Sequence, residues 1–214
     1  MTKIARKPRA RQARAELRRR QILQGALDCF TELGYAATTM GDICRRSGAS
    51  TGSVYHQFPG KEELAAALYV EGVAQYQAGF VEALSAQRQA RSGIQAVVRY
   101  HLGWVRDHSA WARYLFQMQR PEIRSSTETQ LAELNHDFLG AVGAWVAPHV
   151  KRGAIRRAQP DVFASILLGP CQEYARHYLA GRAVTPLDDA ARQLGRAAWQ
   201  AMRADDGTRK KEIP

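Results

Sequence analysis

The stretch TTMGDICRRSGASTGSVYHQFPGKEELAAALY, residues 38–69, decides how the N-terminal part of this chain folds. Thr39 stands where its hydroxyl can cap backbone amides, and Asp42, three residues on, returns the bond as a variant capping box. The pair predicts a helix that runs through Ile43 and Cys44 to about Ser47. Gly48 breaks that helix, Ala49 fits a tight turn, and Ser50 caps a very short helix through Val54 and Tyr55 to about Gln57. Phe58-Pro59-Gly60 ends it. From Lys61 a long helix begins, with Glu62 and Glu63 in its first turn, where acids suit the helix dipole. Two short helices joined by Gly48-Ala49-Ser50 are what a helix-turn-helix requires, because the turn must be tight and the helices must cross closely. Cys44 falls at that crossing, and Ile43, Val54 and Phe58 point to a small core. The solvent face of the very short helix is left with Thr51, Gly52, Ser53, Tyr55, His56 and Gln57, a polar set without an acid. Such a face suits a phosphate surface.

Working outward, Ile22, Leu23, Ala26, Leu27, Phe30 and Leu33 keep helical spacing and stop at Gly34, which can take the left-handed conformation that ends a helix. Downstream, apolar stripes at helical spacing recur with short breakers between them, and no strand alternation of any length interrupts them. Tyr69, Val73, Tyr76, Phe80 and Leu84 continue the helix from Lys61. Ile94, Val97, Val98, Leu102 and Val105 mark the next, and a short aromatic one follows from Trp111 to Met118. Leu131, Leu134, Phe138, Val142 and Trp145 mark another, and two more, from about Pro160 and about Pro186, close the chain. The expected fold is all-α with about nine helices. The expected organisation is a basic disordered arm at 1–17, a helix-turn-helix domain at 18–60, a helical ligand-binding and dimerisation domain at 61–205, and a disordered tail at 206–214.

Charge placement supports a polyanionic partner. Residues 1–20 hold nine Lys or Arg against the single acid Glu16, so +8 of the formal net charge of +11 sits in these first twenty residues. A cationic block of this kind releases counterions when it neutralises phosphates, giving salt-sensitive affinity for nucleic acid; a solvated tail or a lipid anchor is the alternative. No apolar segment follows the arm as a secretory signal requires, and no run of about 18 apolar residues occurs, so a cytoplasmic protein with no membrane partner is expected. Cys29, Cys44 and Cys171 lack CxxC spacing and read as reduced, small hydrophobic residues. P-loop, GxSxG and HExxH patterns are absent, and His101 and His108, seven apart, are a lone pair. No enzyme activity, cofactor or metal is expected. The competing readings are an enzyme with an appended nucleic-acid-binding segment, a ligand-free architectural protein, and an activator.

The quoted stretch, together with the preceding F-x-x-x-G-Y at Phe30, Gly34 and Tyr35, resembles the N-terminal domain of TetR/AcrR-type (tetracycline-repressor-like) regulators over roughly residues 18–70. The turn, the S-V-Y-H-x-F run and the K-E-E-L helix start occur together and in order. The resemblance implies that Ser50, Thr51, Ser53, Tyr55 and His56 form the recognition helix in the major groove of double-stranded operator DNA. It also implies that Tyr55 and His56 contact phosphates, with Thr39 and Lys61 adding backbone contacts. Base reading would fall to Thr51, Ser53 and Gln57. For Tyr55 the alternative is a packing aromatic between helices, and for Lys61 an ordinary exposed lysine. The chain departs from the common pattern at Gln57, often aromatic, and at Gly60, where a polar cap is usual.

A helix-turn-helix of about 45 residues buries little apolar surface and needs a platform, and specific sites are usually read by pairs. A homodimer is therefore expected. Phe163, Leu167, Tyr174, Tyr178, Leu194, Ala198 and Met202, on the last two helices, are its candidate seam, and closure of the protomer's own core is the alternative for the same stripe. The resemblance further implies a small-molecule inducer among the middle helices. Five of the eighteen aromatics fall between positions 100 and 116. His101, Trp104, Trp111, Tyr114 and Phe138 are the candidate ligand residues. His101 lies on the apolar stripe and faces inward, where a buried polar group wants a partner, whether a ligand or a neighbouring side chain.

Overall fold

The structure is a computed structural model, and it describes residues 6–117 and 121–204. Among the described residues it has nine helices: α1 (Arg6–Glu32), α2 (Met40–Ser47), α3 (Thr51–Gln57), α4 (Lys61–Ser85), α5 (Ala90–Asp107), α6 (Ser109–Gln117), α7 (Pro121–Lys151), α8 (Pro160–Leu179) and α9 (Leu187–Met202). The only β-type pairing among them is an isolated bridge between Ile155 and Arg203. The all-α expectation holds. No described helix is long and apolar enough to cross a membrane.

Residues 6–17 were expected to be a disordered arm, yet they form the first turns of α1. The segment RKPRARQARAEL explains this: Ala, Arg, Gln, Leu, Lys and Glu all favour helix, and its one proline sits in the first turn, where a missing amide costs little. Residues 1–5 and the tail at 206–214 lie outside the described residues, as does Met118.

The chain divides into two compact units. Among the described residues, the first comprises 6–73 with 110–117 and 121–131, and the second 74–109 with 132–204. Helix α6 and the start of α7 thus group with the N-terminal helices, not with the remainder of 61–205 as expected. The reason is visible at Tyr114. Its ring stacks on Phe30 with centroids 5.9 Å apart, and its hydroxyl donates to the Ala65 carbonyl at 2.7 Å. Around it lie Ile22, Leu23, Leu27 and Phe30 of α1, Ile43 of α2, Val54 of α3, Phe58, and Leu64 and Leu68 of α4, all buried. The small helix-turn-helix domain borrows apolar area from α6, which relieves the shortage of core that a three-helix unit faces.

In the second unit, α5 is the central element. Its Ile94, Val97, Val98, Leu102 and Val105 are buried, and it packs against α8 and α9. Helix α9 turns Leu187, Ala190, Ala191, Gly195, Ala198 and Met202 inward, and α8 contributes Leu167, Cys171, Ala175 and Leu179. The Trp145 indole of α7 donates to the Gln87 carbonyl at 2.8 Å.

Candidate nucleic-acid interface

The recognition element is built by local chemistry. Thr39 caps α2: its hydroxyl accepts from the Asp42 amide, while the Asp42 carboxylate accepts from the Thr39 amide at 2.8 Å and from its hydroxyl at 2.6 Å. These hydrogen bonds hold the Asp42 carboxyl below its usual range. Gly48 ends α2 at φ 64, a left-handed conformation in which a side chain would be strained. Ser50 then caps α3 by accepting from the Ser53 amide at 3.3 Å. The close approach beneath the motif is at Gly25 of α1, where a Cβ would come within 2.9 Å of the Ser47 backbone. Sequence reading placed the crossing at Cys44, which is half-buried beside the core. Gly25 was missed because a glycine inside a long helical stripe carries no local signature of what it meets.

Helix α3 has two faces. Val54 and the following Phe58 are buried, and Ser50, Thr51, Gly52, Tyr55 and His56 are exposed, with Ser53 and Gln57 half-buried. Tyr55 is 48% exposed, so its ring is not wedged between helices. Nearby cations are already engaged within the unit. Arg46 pairs with Glu32, Arg45 with Asp42, and Arg19 lies 5.0 Å from the Phe58 ring centroid.

Lys61, an expected phosphate contact, is held against the α1–α2 loop. Its ammonium donates to the carbonyls of Tyr35 at 2.9 Å, Thr38 at 3.0 Å and Ala36 at 3.4 Å, and it sits 4.6 Å from the Tyr35 ring centroid. An ammonium has three protons, and all three are directed at the α1–α2 loop. In this arrangement Lys61 pins that loop. Thr38 works beside it, donating to the Gly34 carbonyl at 2.8 Å and the Cys29 carbonyl at 3.1 Å.

The five candidate ligand residues are divided between the two units. Trp111 and Tyr114 belong to the first unit, where Tyr114 is core and Trp111 packs against that core. His101, Trp104 and Phe138 belong to the second. The His101 ring is buried, its Nδ1 2.8 Å from the Tyr76 hydroxyl, and its Nε2 is buried with no hydrogen-bond partner among the described groups. Burial alone pulls its pKa down to about 4. Trp104 packs edge-on against Tyr76, centroids 5.3 Å apart. Phe138 meets Phe80 at 5.2 Å and lines an apolar cavity of about 210 Å³ with Val142, Phe163, Leu167 and Leu168. Of its walls, sequence reading named Phe138 as a ligand contact and assigned Phe163 and Leu167 to the dimer seam, because the aliphatic walls have the spacing of ordinary core.

The candidate dimer seam is likewise divided. Leu167, Ala198 and Met202 are buried within the protomer itself and cannot also face a partner, whereas Phe163, Tyr174, Tyr178 and Leu194 are half-buried. The Tyr174 hydroxyl donates to the Thr185 carbonyl at 2.7 Å, a contact inside the chain. Among the described residues no group of three or more His, Cys, Asp or Glu is placed to hold a metal ion, and the three cysteines are free.

Comparison with known proteins agrees with this geometry. Residues 22–68 match the family model described as bacterial regulatory proteins, tetR family. The chain is 28% identical over 182 residues to the HTH-type transcriptional regulator RutR of Escherichia coli K12, covering 82% of each chain. It is 27% identical over 178 residues to the HTH-type transcriptional repressor KstR2 of Rhodococcus jostii RHA1, covering 82% of this chain and 86% of that one. Among solved structures it shares its fold with the transcriptional regulator FadR of Bacillus subtilis in complex with stearoyl-CoA, with a TM-score of 0.69 at 17% identity, covering 83% of this chain and 96% of that one. The matched segment begins at Ile22 in α1 and ends at Leu68 in α4, so it contains the whole helix-turn-helix and the lysine pin that braces it. Residues 22–68 thus match the DNA-binding domain of tetR-family regulatory proteins, and most of the chain is similar to transcriptional regulators that carry that domain.

Proposed function

We propose that this regulator is a cytoplasmic repressor that binds a palindromic operator as a homodimer and is released by a small, partly apolar ligand. The observation that carries the DNA-binding part is the exposed, acid-free face of α3, held on a base of buried Val54 and Phe58. On this reading Tyr55 and His56 contact phosphates, and Thr51, Ser53 and Gln57 read base edges in the major groove. Ser50, Gly52 and Thr39 present small groups and helix N-terminal amides to the backbone. Repression is supported by similarity to KstR2, a repressor by name.

Pairing would use the outward faces of α8 and α9, where Val162, Ser165, Gln172 and Arg176 and then Gln193, Arg196 and Ala197 are exposed. Two recognition helices about 34–36 Å apart fit successive major grooves, and a ligand that changes that spacing lowers affinity. A coupling of about 1–3 kcal/mol changes operator occupancy roughly 5- to 150-fold. Ligand binding is supported by the cavity beside Phe138 and by the complex of FadR with stearoyl-CoA.

Footprinting on the DNA upstream of the protein's own gene tests the proposal. The expected result is a protected near-palindrome that is lost in Tyr55→Ala while the variant stays folded, because Tyr55 supports no core. Salt-sensitive binding without a footprint, unchanged in that variant, would mean that the basic residues of α1 act alone.

A further inference from the structure

We propose that the apolar cavity of the second unit and a basic cleft sharing its wall form one site for an amphipathic anion, an aliphatic chain with an anionic head. This inference rests on the reading that a small ligand binds in that unit, and it names the ligand's chemical class. The cavity of about 210 Å³ is lined by Phe80, Phe138, Val142, Phe163, Leu167 and Leu168 and their apolar neighbours, with no polar side chain among them. A polar group placed there would lose its water without a replacement hydrogen bond, so an aliphatic chain is the occupant the walls select.

Four lining residues, Gly143, Val146, Ala158 and Phe163, also line a second cleft of about 510 Å³. That cleft is bordered by Lys151, Arg156 and Arg157, and no acid lines it. The first cavity alone is smaller than the roughly 300–1,000 Å³ of ordinary ligand sites, and the two joined fall within that range. The segment carrying the two arginines is anchored. The Arg156 amide donates to the Met202 carbonyl at 2.9 Å, the Ala204 amide donates to the Ala154 carbonyl at 3.3 Å, and Ile155 between them is buried. The Arg156 side chain has an interaction of its own within the protein, so the test is made at Lys151 and Arg157.

Gly143 provides the discriminating variant. It lies in α7 on the wall common to both spaces, and a Cβ built there meets nothing within 4 Å. Gly143 is exposed at the mouth that both spaces share, so Gly143→Leu adds bulk there without a clash, and leucine favours helix over glycine, so folding is preserved. The full-length protein is titrated calorimetrically with octanoate, dodecanoate, dodecan-1-ol and dodecyltrimethylammonium below their micelle concentrations, and with dodecanoyl-coenzyme A against coenzyme A alone.

Affinity should rise about fourfold for each methylene buried, until the cavity is full. Dodecanoate or its coenzyme A thioester should bind at least tenfold tighter than the alcohol, and the ammonium compound weakest. Whichever of the two anions binds tighter identifies the head as free carboxylate or phosphate-bearing thioester. Lys151→Gln/Arg157→Gln should remove the tenfold preference and leave the alcohol unchanged, and Gly143→Leu should weaken binding of every chain at least tenfold. Equal affinity for anion, alcohol and ammonium would overturn the assignment of the head, and unchanged binding in Gly143→Leu would overturn the site. Failure of all chain-bearing probes, with the operator footprint intact, would overturn this inference and leave the DNA-binding reading standing.

Discussion

The buried imidazole of His101 makes a quantitative prediction about acid stability. The residue is 5% exposed, its Nδ1 is hydrogen-bonded to the Tyr76 hydroxyl at 2.8 Å, and burial lowers its pKa from 6.5 to about 4. The folded protein keeps the ring neutral, while the unfolded chain takes up a proton once the pH falls below about 6.5. More protons on the unfolded state mean that stability falls as the medium is acidified. The contribution is complete at neutral pH, declines between about 6.5 and 4, and is constant below that. A separation of this size corresponds to about 2.5 kcal/mol lost between roughly pH 7.5 and pH 4.5, at about 1.4 kcal/mol per pKa unit. His149, whose pKa is also lowered, first by burial and then by Arg152, acts in the same direction. The variant His101→Gln isolates the His101 share, since its amide can still bond Tyr76 and does not titrate. Urea unfolding followed by circular dichroism across this range should show the native chain losing about 2.5 kcal/mol more than His101→Gln. Parallel pH profiles would refute the reasoning, because they would mean that the folded state protonates the ring as readily as the unfolded chain does.

Lys61→Ala should destabilise the protein by about 1–3 kcal/mol by leaving three loop carbonyls without their donor, and DNA affinity should fall with that stability in thermal melts. Lost DNA affinity in an unchanged melt would restore the phosphate role. Tyr114→Phe should cost about 1 kcal/mol and lower the melting temperature, since it removes the bond to the Ala65 carbonyl and keeps the ring stack. Thr39→Ala removes the cap of α2 and should cost about 0.5–2 kcal/mol in chemical denaturation; the Asp42 half of the box is present at neutral pH and is lost as pH falls through that carboxyl's lowered pKa. Deleting residues 1–17 should flatten the salt dependence of DNA binding, and an unchanged slope would exclude those residues from the interface.

The sequence by itself determined the helix-turn-helix, because its instructions are local. The Thr39–Asp42 box, the left-handed turn at Gly48 and the Ser50 cap each act within four residues, and the structure reproduces all three. It also determined which face of α3 is polar, since burial of Val54 at helical spacing leaves Tyr55 and His56 outside. Tertiary structure decided the rest. Lys61 looks like a surface cation in sequence, and only the return of the 35–38 loop, more than twenty residues away, brings carbonyls to its ammonium. Tyr114 and Phe138 have the same apolar, helical setting in the chain, yet one fills a core and the other lines a cavity. Ala198 and Met202 carry the small-and-large pattern of a helix seam, and α5 rather than a second chain covers it. The physical reason is common to these cases. Hydrophobic periodicity says that a face must leave water, and it is silent about which surface will cover it.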